Sequence, residues 1–230
     1  MAPEPRDPIA LVAQALVRAL RDGRPLSLVR LGHGEALTLS RGATLATQRD
    51  LTDSSAAADH PDIACRDRLA QAVRLADIVG LASADGETGQ PLLSRALRDH
   101  GINLSGKIVA DAAISWQLYR QGHFGSLLLE QPRPRILLVG QRAPQLEPVL
   151  ARAGVRVVGT VSPVRGCQDV DRVLRQMGGH PYDIALVSAG VAAVPICAEG
   201  ARSHRGIHLD IGRLADELIF GGRPLTGGRS

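Results

Sequence analysis

The sequence predicts an α/β fold, a single Rossmann-like domain built on a mainly parallel, doubly wound sheet. Short aliphatic runs recur along the chain, segments with apolar residues at helical spacing separate them, and several runs end in glycine. Fully buried parallel strands read as such continuous apolar runs, and strands alternating with helices imply βαβ units. A chain of 230 residues suits one domain of this kind and is long enough to bury a sizeable core.

Taken in order, Leu11, Ala15, Leu16 and Leu20 share a helical face after Pro8, a good first-turn residue, so a helix is expected over 9–21 with Gly23 as its stop. The first strand is "LSLVRL" (26–31), which breaks at Gly32-His33-Gly34-Glu35, where a helical pattern begins. A second helix is expected over 62–75, then the strand "DIVGLAS", a helix over 91–99 closed by His100-Gly101, the strand "KIVAD", and a helix over 112–119. The Pro-rich "EQPRPR" (130–135) is the best candidate for an internal junction. Beyond it the alternation sharpens: "RILLVG" (135–140), a helix over 144–152, "VRVVGT" (155–160), and a helix over 170–177 ended by Gly178-Gly179. It closes with "DIALVSAG" (183–190), a helix over 191–201, "GIHLDIG" (206–212) and a helix over 214–220. There is no internal repeat. The domain is set at 1–222, and 223–230, the end of "GGRPLTGGRS", reads as a flexible tail.

Composition excludes several classes of function. The net charge of +4 alone would admit a polyanion partner. Lys107 is the only lysine, however, and the arginines are scattered rather than clustered. Tyr119, Tyr182, Phe124, Phe220 and Trp116 do not interleave with basic runs, so nucleic-acid binding is set aside. No apolar run approaches the roughly 18 to 20 residues that span a membrane. The start "MAPEPRDPIA" lacks the basic and apolar regions of a secretory signal, so a cytoplasmic location is expected. Cys65, Cys167 and Cys197 have no CxxC or zinc spacing, nothing in them implies a disulfide framework, and Cys197 in "VPICAEG" reads as a buried thiol.

In open α/β sheets the ligand binds beyond the carboxyl ends of the strands. Gly32-His33-Gly34-Glu35, Gly140-Gln141-Arg142, Ser188-Ala189-Gly190 and Asp210-Ile211-Gly212 all fall at such ends. Glycines there admit a ligand to the backbone, and a following helix N-terminus offers free N–H groups to phosphate. None is a GxGxxG or Walker loop, and each alone is a weak motif. Arg30, a charge in an apolar strand, is costly unless paired. It faces either the cleft, where guanidinium takes phosphate bidentately, or a neighbouring acid such as Glu35. Ser188, Ala189 and Gly190 read as a nucleotide-binding turn, because no Gly-x-Ser-x-Gly elbow surrounds the serine.

Two blocks carry a family resemblance. "PLSLVRLGHGEALTL" (25–39) resembles the N-terminal signature of the GT-D type glycosyltransferases, where a strand ends in Arg-hydrophobic-Gly-Asp-Gly-Glu. "YDIALVSAGVAAVPICAEGARSHRGIHLDIGRLADEL" (182–218) resembles that family's C-terminal block of strand, Gly turn, helix and a strand ending in Asp-hydrophobic-Gly. The resemblance spans about residues 8 to 220. It implies a bacterial glycan-building enzyme of hexosyl type, moving a sugar from a nucleotide-diphosphate donor to a glycan or glycoprotein acceptor. It places Arg30, Gly32, Gly34, Ser188, Ala189 and Gly190 at the nucleotide, and Glu35 and Asp210 at the chemistry. The family's Asp-x-Glu pair holds a divalent metal, typically manganese, with magnesium the other candidate, because a departing diphosphate accumulates charge that a cation must neutralise.

This sequence has His33 where that aspartate is expected. Imidazole ligates manganese or zinc, so His33 and Glu35 either keep a metal site of softer preference or leave the diphosphate to Arg30 and helix dipoles. Apart from the resemblance, His33 reads as a loop histidine bonded to backbone, and Glu35 as a first-turn acid favoured by the helix dipole. Asp210 binds sugar hydroxyls or serves as general base, or else caps a helix from Gly212. Asp85 and Glu87 in "SADGETG" either supply the missing carboxylate or form a solvated turn. The other histidines show no HxxxH or HExxH spacing, and Trp116 reads as packing rather than a sugar platform. Two rival readings stand beside the transferase. One is a non-catalytic nucleotide or glycan-binding module with a degenerate metal site; the other is a nucleotide-dependent oxidoreductase, weakened by the absence of GxGxxG.

Overall fold

The computed structural model describes residues 7–40, 63–82, 89–221 and 225. Strands β1 (Leu26–Leu31), β2 (Ile78–Leu81), β3 (Ile108–Asp111), β4 (Arg135–Gly140), β5 (Arg156–Val161), β6 (Ile184–Ser188) and β7 (Ile207–Asp210) form one sheet in the order β3-β2-β1-β7-β6-β4-β5. Every pairing is parallel. The expected mainly parallel sheet is wholly parallel among the described residues.

Successive side chains of a strand leave opposite faces of the sheet. Leu28, Ile78, Ile136, Leu138 and Leu209 therefore enter one core, with helices α1 (Pro8–Asp22), α5 (Ile114–Arg120), α6 (His123–Leu129), α7 (Ala143–Arg152) and α10 (Leu214–Phe220) packed over them. Val29, Leu31, Val79, Leu137 and Val187 enter the other core, beneath α2 (His33–Ser40), α3 (Ile63–Leu75), α4 (Gly89–Asp99), α8 (Val170–Met177) and α9 (Ala193–Ser203). With both faces covered, the strands need no polar side, which is why they read as unbroken aliphatic runs. No helix of the described residues is long and apolar enough to cross a membrane.

Local signals set the element ends. Asp7 accepts a hydrogen bond from the Ile9 N–H at 3.0 Å, Pro8 opens α1, and Gly23 ends it in the left-handed conformation at φ 60°. Such a cap suits glycine, which lacks the Cβ that penalises positive φ.

The structure amends four expectations. The helix expected over 112–119 begins at Ile114, and a second helix, α6, follows at once. The segment expected as a helix over 191–201 starts with a 3-10 turn, Gly190–Ala192, before α9. The "EQPRPR" stretch connects α6 to β4 within one continuous sheet and divides nothing. Finally, Cys65 on α3 and Cys167 in a 3-10 turn after β5 are bonded as a disulfide, with Cα atoms 5.5 Å apart and a sequence separation of 102. Helices α3 and α8 flank α9 on the same face, a proximity that cysteine spacing does not encode. Cys197 is free and buried, as expected. Asp85, Glu87 and the tail 223–230, apart from Leu225, lie outside the described residues.

Candidate functional site

The chain runs outward from β1 to β2 and β3, while β7, the last strand, lies on the other side of β1. Ligands of open α/β sheets occupy the crevice at such a switch in strand order. At the carboxyl ends of β1 and β7 the structure joins Arg30 to Asp210. Arg30 Nη2 donates to Asp210 Oδ1 at 3.1 Å, Nε donates to the Asp210 carbonyl at 3.1 Å, and Nη1 donates to the Ala112 carbonyl at 3.2 Å. The partner acid is therefore Asp210, 180 residues away, and not Glu35.

Arg30 fits there because glycines surround it. Its register partner on β2 is Gly80, and a Cβ at Gly80 would press on Asp111 carbonyl oxygen at 3.0 Å and on Arg30 Cγ at 3.4 Å. Gly212, at φ +44°, passes beneath the guanidinium, and a Cβ there would fall on Arg30 Nη2. A guanidinium has five N–H donors. The three bonds above leave one N–H on each terminal nitrogen without a partner among the described residues. The Arg30 side chain keeps 23 % of its surface exposed, against 5 % for Asp210.

Asp210 is held from several directions. Its carbonyl also accepts from Ser115 Oγ at 2.8 Å, and its carboxylate takes a backbone bond from Gly212. Burial pushes the Asp210 carboxyl up to about 6, opposed by the Arg30 charge and reinforced by the charge of Glu35. The helix that follows starts at Leu214 with Arg213 at its cap and no side-chain cap bond, so Asp210 is not its N-cap. As folded, the carboxylate addresses Arg30 and Gly212 rather than solvent.

His33 and Glu35 both lie in the first turn of α2. Glu35 Oε2 accepts from the Gly32 N–H at 2.8 Å, the returning half of a capping box, while its other oxygen makes no hydrogen bond among the described residues. His33 is exposed at the lip. Residues two apart on a helix point about 200° from one another, so the two side chains do not converge as an i, i+4 pair would. Among the described residues, no three His, Cys, Asp or Glu side chains gather closely enough to hold a metal ion.

The other predicted loop joins this lip. A Cβ at Gly34 would sit 3.6 Å from Val191 Cγ2, so the first turn of α2 lies beside the turn after β6. Ser188 Oγ donates to the Gly212 carbonyl at 2.9 Å, which ties β6 to the loop after β7. Ala189 precedes Gly190, which is exposed at φ 54° with open space where a side chain would stand. The fourth predicted loop is drawn elsewhere: Arg142 pairs with Asp216 of α10 at 2.9 Å and lies over the Phe220 ring.

Sequence reasoning missed Ala112 and Ser115. A backbone carbonyl leaves no mark in sequence, and a lone serine at a helix start is ordinary. Gly80 did carry a signal, since glycine inside a strand marks a close approach.

A family model described as a GT-D fold-like domain matches residues 9–218. Two solved structures resemble the chain in fold. One is the selenomethionine-substituted structure of domain of unknown function 1792, at 16 % identity and a TM-score of 0.60, with 96 % of this chain and 82 % of that one covered. The other, described as a highly conserved domain of unknown function 1792 with a distinct glycosyltransferase fold, aligns at 15 % identity and a TM-score of 0.61 with the same coverage. No curated protein matches the chain in sequence.

Proposed function

Because the chain belongs to the GT-D-like family over residues 9–218, we propose that it is a glycosyltransferase, taking a sugar from a nucleotide-diphosphate donor and passing it to a glycan or glycoprotein acceptor. The observation that supports this best is Arg30. A guanidinium fixed by two carbonyls and a carboxylate at the strand-order switch, with one N–H on each terminal nitrogen unpartnered among the described residues, is preorganised for an anion.

In this reading the donor's diphosphate lies against Arg30, with Gly32, Gly34 and the Ser188-Ala189-Gly190 turn leaving room for it. The bond from the sugar to the diphosphate oxygen breaks, an acceptor hydroxyl oxygen bonds to the same sugar carbon, and its proton leaves to a base. Arg30 stabilises the charge that grows on the diphosphate. Asp210 orients Arg30, and Glu35 is the half-exposed carboxylate of the lip. A divalent cation would be held here by the uncommitted Glu35 oxygen together with the diphosphate itself, since His33 leaves α2 about 200° away and does not converge with Glu35. When bound, such a cation would share the neutralisation of the departing diphosphate.

The second reading, a non-catalytic module that binds a nucleotide or glycan, is favoured by one observation: His33 stands where a carboxylate is expected. A screen of nucleotide sugars, with and without manganese, separates the two. A sugar nucleotide that raises the melting temperature and is hydrolysed or transferred supports the transferase. One that stabilises the fold and is never turned over supports the binding module.

A further inference from the structure

The arginines that look scattered in sequence are gathered by the fold. At the amino ends of the strands, the edge opposite Arg30, lies a cavity of about 700 Å3 lined by six arginines and two carboxylates, Glu130 and Asp183. Three of the arginines are neutralised. Arg21 pairs with Glu130 at 3.2 Å, Arg24 with Asp22 at 2.6 Å, and Arg135 with Asp183 at 2.8 Å. The remaining three, Arg133, Arg156 and Arg205, have no carboxylate within salt-bridge distance among the described residues.

They come from three separate connections: the segment before β4, the first residue of β5, and the turn before β7. Arg133 Nη1 is oriented by the Gly154 carbonyl at 3.0 Å, and the charge of Arg156 reaches Asp183, helping to hold that carboxyl below its usual range. Bringing like charges together without counter-charge is unfavourable by itself. A multivalent anion reverses the sign of that energy, because each added phosphate meets another guanidinium. The volume lies within the roughly 300 to 1,000 Å3 of small-molecule sites.

We propose that this cavity is a second anion-binding site, which takes a di- or triphosphate group on Arg133, Arg156 and Arg205. It lies a full strand length from Arg30, roughly 15 to 20 Å at 3.3 Å per residue. A ligand here cannot touch the donor's reacting atoms. The site is one of anchoring or regulation, independent of the proposed transfer chemistry.

The test is calorimetry and thermal shift at fixed ionic strength on the full chain, with inorganic tripolyphosphate as probe and orthophosphate as the single-phosphate comparison. Tripolyphosphate near saturation is expected to raise the melting temperature by roughly 3 to 8 °C, and orthophosphate to leave it within about 1 °C. The double variant Arg156→Glu, Arg205→Glu reverses two exposed charges and should weaken tripolyphosphate at least about tenfold. Its ligand-free circular dichroism and melting should match the parent. Arg30→Ala should keep the tripolyphosphate response. ATP and ADP alongside tripolyphosphate and pyrophosphate distinguish a nucleotide from a free polyphosphate, and binding in either arm supports the site. Three outcomes overturn it: no response to any polyphosphate, a response that survives the double variant, or one that disappears in Arg30→Ala.

Discussion

The guanidinium of Arg30 occupies the space that a side chain at Gly212 would need. The two residues lie on different strand ends, and neither position tolerates much change because of the other. Gly212→Ala is expected to displace Arg30 and to strain a backbone at φ +44°. Stability should fall by about 1–3 kcal/mol and nucleotide affinity at least about tenfold. Gly23→Ala, at φ +60° with open space around it, is the control: it should cost similar strain and leave affinity intact. Equal affinity in both variants, measured by calorimetry, would show that Arg30 does not hold the ligand.

Removing Arg30 should do more than weaken binding. Arg30→Ala leaves the Asp210 carboxylate buried and without its cation, which costs roughly 3 kcal/mol or more near pH 8. Protonation of Asp210 relieves that cost, so the deficit should shrink as the pH is lowered to 6. Adding Asp210→Asn to Arg30→Ala should restore much of the lost stability without restoring nucleotide affinity. Denaturant midpoints at pH 6 and 8 measure both effects; a deficit that does not vary with pH would refute the pairing as its cause.

Two buried groups oppose each other in acid. His208 bonds Tyr182 Oη through Nε2 at 2.9 Å, and burial lowers its pKa to about 4. The unfolded chain binds that proton more readily, so stability falls by roughly 3 kcal/mol as pH drops from 6.5 to 4. Asp210 works the other way. With a folded pKa near 6, the folded state binds the proton first, and acid adds roughly 3 kcal/mol between pH 6 and 4. The two contributions nearly cancel. Asp210→Asn removes the second alone, so its stability should drop relative to the parent by about 3 kcal/mol between pH 7 and 4. Urea titrations across that range give the answer, and parallel curves would contradict it.

His33 decides how far the site depends on a cation. If His33 and Glu35 serve as donors, transfer should depend on manganese and be lost in excess chelator. His33→Asp should then keep or raise manganese-dependent turnover, and His33→Ala and Glu35→Gln should each lower it. Full activity in excess chelator, with His33→Ala nearly silent, would leave the diphosphate to Arg30 and the backbone N–H groups.

The alternation of strands and helices was legible because both sheet faces are covered, so "RILLVG" and "DIALVSAG" advertise burial without ambiguity. Helix α6 was not, since "HFGSLLL" carries an inner glycine and a short apolar run that fits either period. The loops at Gly32 and Ser188 were legible as strand ends, and the fold does bring Gly34 against Val191. The clamp on Arg30 was not, because its acceptors are two backbone carbonyls and an acid 180 residues away. Long-range pairing also hid the Cys65–Cys167 bond and the arginine cavity. Each brings together residues whose spacing obeys no local period.

Strand β1 finds its partner β7 only at the far end of the chain, with Leu26 set against Ile207 and Leu28 against Leu209. During synthesis the half-sheet β3-β2-β1 therefore emerges with one flank of β1 bare, and it stays bare until β7 leaves the ribosome. Such distant contacts slow folding and expose nascent chains to wrong pairing. The same closure assembles Arg30 with Asp210. A chain truncated before β7 would lack the anion clamp as well as the strand that joins the two halves of the sheet, so ligand competence arrives together with completion of the sheet.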